Sequence, residues 1–166
     1  MKDTLLELVN GHETFVRMVL KEQKEILPMC IIGRDNLVIP MMIKGGREAI
    51  KFVMSKATEM SPDWLVFLTE GYMEGHDMKK MDKPISYEVG ELEKRFKLGD
   101  EKVKEVIIIH AYTPEGKLSR ILIKDTMKQF RKDTEEFDGF LTVSDVDRVF
   151  WRLHDEDKSK SDALGE

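Results

Sequence analysis

The chain has few of the residues that staple a fold. A single cysteine, Cys30, stands among 166 residues. One thiol closes no internal disulfide, so the fold needs no oxidising compartment. Its place in the apolar run Met29-Cys30-Ile31-Ile32 predicts a small buried hydrophobe rather than a reactive group. The five prolines and eleven glycines gather into no low-complexity tract, and no internal repeat is visible. No apolar run approaches the length of a bilayer-spanning helix. The start, Met1-Lys2-Asp3-Thr4-Leu5-Leu6-Glu7, carries acidic residues where a secretion signal has basic and apolar regions. The expectation is a cytoplasmic protein without a membrane partner. Positive charge is not in excess either. The formal net charge is -5, which argues against a protein that coats nucleic acid through its overall field.

Catalytic signatures are equally scarce. The four histidines His12, His76, His110 and His154 include no pair at helical or turn spacing. Zinc-protease and zinc-finger sites need such pairs, because the ligands converge on one small ion. No serine lies in a Gly-x-Ser-x-Gly elbow, and neither a phosphate loop nor a dinucleotide fingerprint is present. No cofactor is named by the sequence.

What remains is an ordinary globular composition with a high charged share, 41% hydrophobic and 36% charged. The length suits one domain with a sizeable core, placed over residues 1–154, followed by a polar tail over 155–166. Leu5, Val9, Val16, Val19, Leu20, Ile26 and Leu27 recur near a 3.6-residue period and predict helix over about 3–27. Asn10-Gly11 either sits inside one helix or, with Asn10 as cap, divides two. Two apolar runs, 29–32 and 37–43, flank Gly33-Arg34-Asp35-Asn36 and predict a β-hairpin, whose Pro40 places the second strand at an edge or a bulge. A helix is expected over 47–60, then a short buried strand over 64–68. Residues 71–84 read as a long exposed connection, followed by a short helix within 86–98 with Val89, Leu92 and Phe96 inward and Gly99 at its end. Runs at 103–112 and 118–124 predict a second hairpin. A short strand over 140–143 and a last helix capped by Ser144, with Asp147 three along, complete the pattern.

The expected class is therefore α+β: a mostly antiparallel sheet of about five strands with flanking helices. This order of elements, over roughly residues 3–154, resembles the roadblock, longin and profilin-like arrangements. The resemblance implies a five-stranded antiparallel sheet sandwiched or flanked by helices, and it carries no functional residue across.

Four sets of residues are candidates for function. Glu70, Glu74, His76 and Asp77, joined by His110 if its strand lies nearby, offer carboxylates and imidazole for a divalent metal or proton transfer. The plainer account is a solvated loop. Lys44-Gly45-Gly46-Arg47 could expose amides and positive charge to a phosphate or other anionic small molecule. The plainer account is a sharp strand-to-helix turn. Lys124, Lys128, Arg131 and Lys132 around Phe130 combine charge with a ring as single-strand nucleic-acid surfaces do, but acidic neighbours interrupt them. Finally, the strand over 37–43, with Pro40-Met41-Met42 near its suspected edge, joined to a face of the first or last helix where Trp151 offers an aromatic anchor, suggests a protein-interaction module that forms a homo-oligomer. That last reading is the favoured one, ahead of a metal- or phosphate-ligand domain or small enzyme, and of a nucleic-acid module.

Overall fold

The computed structural model describes residues 2–23, 25–75, 87–135, 141–142 and 144–150. Helix α1 spans Lys2–Glu22, strand β1 Met29–Arg34, β2 Leu37–Met42, helix α2 Arg47–Met60, β3 Trp64–Glu74, helix α3 Glu91–Lys97, β4 Val103–Thr113 and β5 Gly116–Ile123. A further helical segment, α4, covers 144–150. None of the described helices is long and apolar enough to cross a membrane.

The strands form one antiparallel sheet in the order β2-β1-β3-β4-β5, and the fold is α+β as the pattern predicts. The first hairpin turns through Asp35-Asn36 alone, so Gly33 belongs to β1. Gly33 is required by a close approach. A Cβ there would lie 1.9 Å from the Trp64 ring, which rests directly on the backbone. The hairpin tip is tied to the α2–β3 connection. The Asp35 amide donates to Asp63 Oδ2 at 2.7 Å, and Arg34 donates to the Met60 carbonyl at 2.7 Å.

Side chains alternate across the sheet and build two cores. On one face Ile31, Val66, Leu68, Ile107, Ile109 and Leu122 meet Leu5, Val9 and Val16 of α1. On the other, Cys30, Ile32, Leu65, Phe67 and Tyr112 meet Val53 and Ala57 of α2 and Val149 and Phe150 of α4. Central β3 and β4 are buried on both sides, which accounts for the continuous β-branched run at 106–109. Cys30 is wholly buried, and burial pushes its thiol up to about 12.

One helix, not two, runs from Lys2 to Glu22. Gly11 lies on its exposed side with open space around it, so the helix passes through. The helix stops well before Pro28, and Ile26 is buried beyond its end. Asn10 caps nothing. Its side-chain oxygen accepts from Arg120 Nη1 at 2.7 Å. Arg120, on β5 beneath α1, is 7% exposed. It also donates to both oxygens of Asp133 at 2.9 and 2.7 Å and meets Glu13 at 3.3 Å. The fork geometry of a guanidinium suits such bidentate pairing. Hydrogen bonding to Asp133, together with the neighbouring Glu13, holds the guanidinium pKa above its usual value despite burial.

Asp133 belongs to a segment that folds back along β5. Ser119 and Thr134 exchange backbone bonds at 2.8 and 3.1 Å, Phe130 donates to the Ile121 carbonyl at 2.8 Å, and Ile123 donates to that of Lys128 at 2.8 Å. Residues 127–134 therefore form an irregular strap over the free edge of β5.

Four expectations need correction. β3 does not stop at Leu68 but continues to Glu74, paired throughout with β4, so residues 71–74 are strand rather than connection. α3 buries none of its residues, Val89 is fully exposed, and the Phe96 ring instead leans on Tyr72 at 5.4 Å. The cap of α4 is Thr142, not Ser144. Thr142 Oγ1 accepts from the Asp145 amide at 3.1 Å, while Asp145 Oδ2 accepts from the Thr142 amide at 3.0 Å. This is a capping box two residues earlier than expected. Leu141 and Thr142 are not strand, and residues 140 and 143 lie outside the described residues.

Two outcomes follow from this packing. Gly11→Ala should raise stability by about 0.5–1 kcal/mol, because the site is helical, exposed and unobstructed; urea denaturation reads this directly. Arg120→Met should lower stability by about 3 kcal/mol, the low end for a broken buried pair, since Asp133 and Glu13 keep some access to water. Arg120→Lys should recover only part of the loss, because an ammonium cannot make the two-pronged bond.

Candidate functional site

The structure separates the proposed acid–imidazole cluster. Glu70 and Glu74 project on the α1 face of the sheet, with Ile107 and Val103 opposite them on β4, whereas His110 sits opposite Phe67 on the α2 face. His76 and Asp77 lie outside the described residues. Glu70 is engaged twice: Oε1 accepts from the Ile26 amide at 2.6 Å and Oε2 from Lys124 at 3.1 Å. Lys124 also reaches Glu105 at 3.1 Å. Burial pulls its ammonium pKa down, but the two carboxylates outweigh that and hold it above the usual lysine value. Glu74 takes both prongs of Arg95 at 3.0 and 2.7 Å and the Tyr87 hydroxyl at 2.7 Å. Arg95 also bonds Asp100 at 2.9 Å. These groups join β3, α3 and the turn before β4. Their geometry suits cross-linking of elements, with each carboxylate already held by a cation. Among the described residues no three His, Cys, Asp or Glu converge as a metal cage would require.

His110 is buried beside Ser119, Nδ1 to Oγ at 2.5 Å. Both are about 2% exposed, so no substrate reaches the pair. Burial, with Lys117 nearby, pulls the imidazole down to about 4. His12 is a second low histidine. Burial lowers its pKa against the effect of a 2.7 Å contact with the Leu8 carbonyl, and its ring meets the edge of Trp64 at 5.4 Å.

Gly45 and Gly46 form the strand-to-helix turn, both with positive φ, 100° and 69°. Gly46 caps α2 without any side-chain bond. Lys44 and Arg47 are exposed on either side. The basic group near the carboxyl side is dispersed. Lys124 points into the carboxylate pair already described, whereas Lys128, Arg131 and Lys132 lie exposed on the strap, with Phe130 half-buried beside Gly75. Trp151 lies outside the described residues.

The remaining candidate is the β2 edge. The two-residue turn makes Arg34 and Leu37 the first hydrogen-bonded pair. Leu37, Ile39 and Met41 thus direct their backbone groups at β1, and Val38, Pro40 and Met42 direct theirs outward. Pro40, which has no amide, falls at an outward position, where β1 loses no partner. Side chains follow the opposite rule. Val38, Pro40 and Met42 share the α1 face with Gly33, Ile31 and Met29, but α1 lies across β4 and β5 and leaves β2 uncovered. Val38 and Met42 are accordingly 58% and 41% exposed, and Leu37, at the hairpin end on the other face, is 63% exposed. His12 touches Trp64, which rests on Gly33 beside Val38. Phe15, 41% exposed, stands one turn beyond His12 on α1. An apolar shelf results, floored by β2 and walled by α1. The sequence pattern already marks the 37–43 strand, Val38 included, and a face of the first helix, but it does not single out Phe15, whose exposure depends on which strands α1 crosses.

No known protein-family model, curated protein or solved structure matches the chain. Its likeness to roadblock, longin and profilin-like folds rests on element order alone.

The buried imidazole sets a pH dependence. A histidine low in the fold and near 6.5 when unfolded leaves stability intact above pH 6.5 and withdraws it as pH falls through about 4. The loss should total about 3 kcal/mol. Urea titrations at stepped pH should show this slope, and His110→Gln should remove most of it while leaving the smaller part owed to His12.

Proposed function

We propose that the chain is a small protein-interaction module that self-associates through β2 and the adjoining flank of α1. The observation that carries this reading is the contrast between the sheet's two margins. The β5 edge is overlaid by residues 127–134 of the same chain, while β2 presents Leu37, Val38 and Met42 to water. Exposed edges with apolar side chains are avoided unless something covers them. A second copy supplies an apolar surface of the same shape, in the two-fold arrangement most homodimers use. With Pro40 turned outward, the outward backbone row is interrupted, and side-chain packing has to carry more of the contact than a continuous strand ladder. Among the described residues, Glu70 and Glu74 are tied into ion pairs and His110 is buried, which supports a binding role over a chemical one.

Sedimentation velocity over a concentration series should find a dimer. Val38→Lys should weaken it about thirtyfold, or about 2 kcal/mol, the scale of an interface hot spot. The unfolding midpoint should stay near that of the parent, because the residue is exposed in the single chain. A parent protein that stays monomeric throughout the series would remove the proposal.

A further inference from the structure

A second feature lies on the opposite face of the sheet. α2 and α4 both pack there, and between them runs a groove of about 920 Å³, open to solvent along one side. Its floor is apolar, built from Ile50 and Met54 of α2 and Val149 of α4. α2 lines it from Arg47 to Glu59, a length of about 18 Å at helical rise. That is room for a third helix of about three turns laid in the trough.

The charges along it are uneven. Arg47 and Lys51, one turn apart on α2, and Arg148 on α4 all line the groove and are all exposed. Among the described residues none of the three has a carboxylate partner. The two acids that line the groove are already engaged. Asp145 accepts the Thr142 amide in the α4 capping box, and Glu59 pairs with Lys56 at 3.6 Å near the far end of α2. Among the described residues, three cations without a carboxylate partner thus border an apolar trough in a chain whose net charge is -5. The first copy-to-copy alternative is disfavoured by the same charges, since a symmetric partner would bring a second set of the same three cations.

We propose that this groove docks an acidic amphipathic helix from a different protein. Apolar side chains of that helix, spaced i, i+3, i+4 and i+7, would lie on Ile50 and Met54, above the buried Val149. Its carboxylates would meet Arg47, Lys51 and Arg148. Arginine in particular makes paired bonds to carboxylates. Opposite charge at the rim selects the partner and speeds encounter, and burial on the floor supplies affinity. This surface lies on the opposite face of the sheet from the β2 shelf.

The test is a peptide-display selection on the intact protein, counter-selected against the Arg47→Glu/Lys51→Glu/Arg148→Glu variant. The enriched peptides should carry several Asp or Glu on one helical face and Leu, Ile or Phe on the other. By fluorescence anisotropy their binding should fall at least about tenfold in the variant. Replacing their acids by Lys should reverse the preference between the two proteins. The replaced side chains are exposed, so the variant should unfold at the parent's midpoint; if it does not, Lys51→Glu alone is measured in its place. No enrichment, enrichment of neutral or basic peptides, or equal binding to parent and variant would each overturn the proposal. So would competition by a short single-stranded DNA as effective as the peptide, which would identify a general polyanion site. Loss of self-association in the variant would assign the groove to a second copy and overturn it as well. The dimer reading is checked separately by Val38→Lys, so either proposal can fail alone.

Discussion

Burying the Arg120 guanidinium beneath α1 obliges two distant parts of the chain to meet it. Asn10 and Glu13 come from the helix, Asp133 from the returning segment, and the arginine itself from β5. A charge held away from water needs acceptors around it, and removing one leaves the others poorly solvated. The helix therefore has a fixed rotation and height over β4 and β5. Once α1 lies there, it cannot also lie over β2. Arg17 strengthens the same junction by donating to the Met127 carbonyl at 3.0 Å. The covered edge and the uncovered one are consequences of a single polar attachment.

A second polar seam fastens the opposite end of the sheet. Glu70 of β3, Glu105 of β4 and Lys124, just past the end of β5, are linked, and Glu74, Arg95 and Asp100 attach α3. These ion pairs are partly exposed, so each adds modest stability. Their more evident role is register. A strand slipped by one residue would turn Glu70 to the α2 face and into apolar surroundings. The high charged content of the chain is thus partly structural, and the acids that looked available for chemistry are part of this seam.

The hairpins and the two longer helices were legible because their signals are local. Asp35-Asn36 marks a turn, Pro40 marks an edge, and the 3.6-residue spacing of Leu5, Val9 and Val16 marks a buried helical stripe. The far half of β3 was not legible. Thr69-Glu70-Gly71-Tyr72-Met73-Glu74 has the composition of a loop, and its charges make sense only beside Lys124 and Arg95. Those partners lie 54 and 21 residues away, a relation that periodicity cannot express. Asn10 and Gly11 pose the same difficulty: a natural cap followed by a helix breaker is here the interior of a helix, because Arg120, 110 positions later, claims the asparagine side chain. The separation of Glu70 from His110 is a matter of strand parity, legible only after the pairing of β3 with β4 is known.

The strap over β5 has a further effect on assembly size. A sheet with two bare margins can add neighbours at both and grow into a fibre. Among the described residues this sheet has one bare margin, at β2, and the other is already occupied by residues 127–134 of its own chain. Two molecules joined at β2 present only strapped margins to the outside. Any strand-by-strand growth therefore ends at a pair, and the returning segment serves as a built-in terminator against open-ended polymerisation.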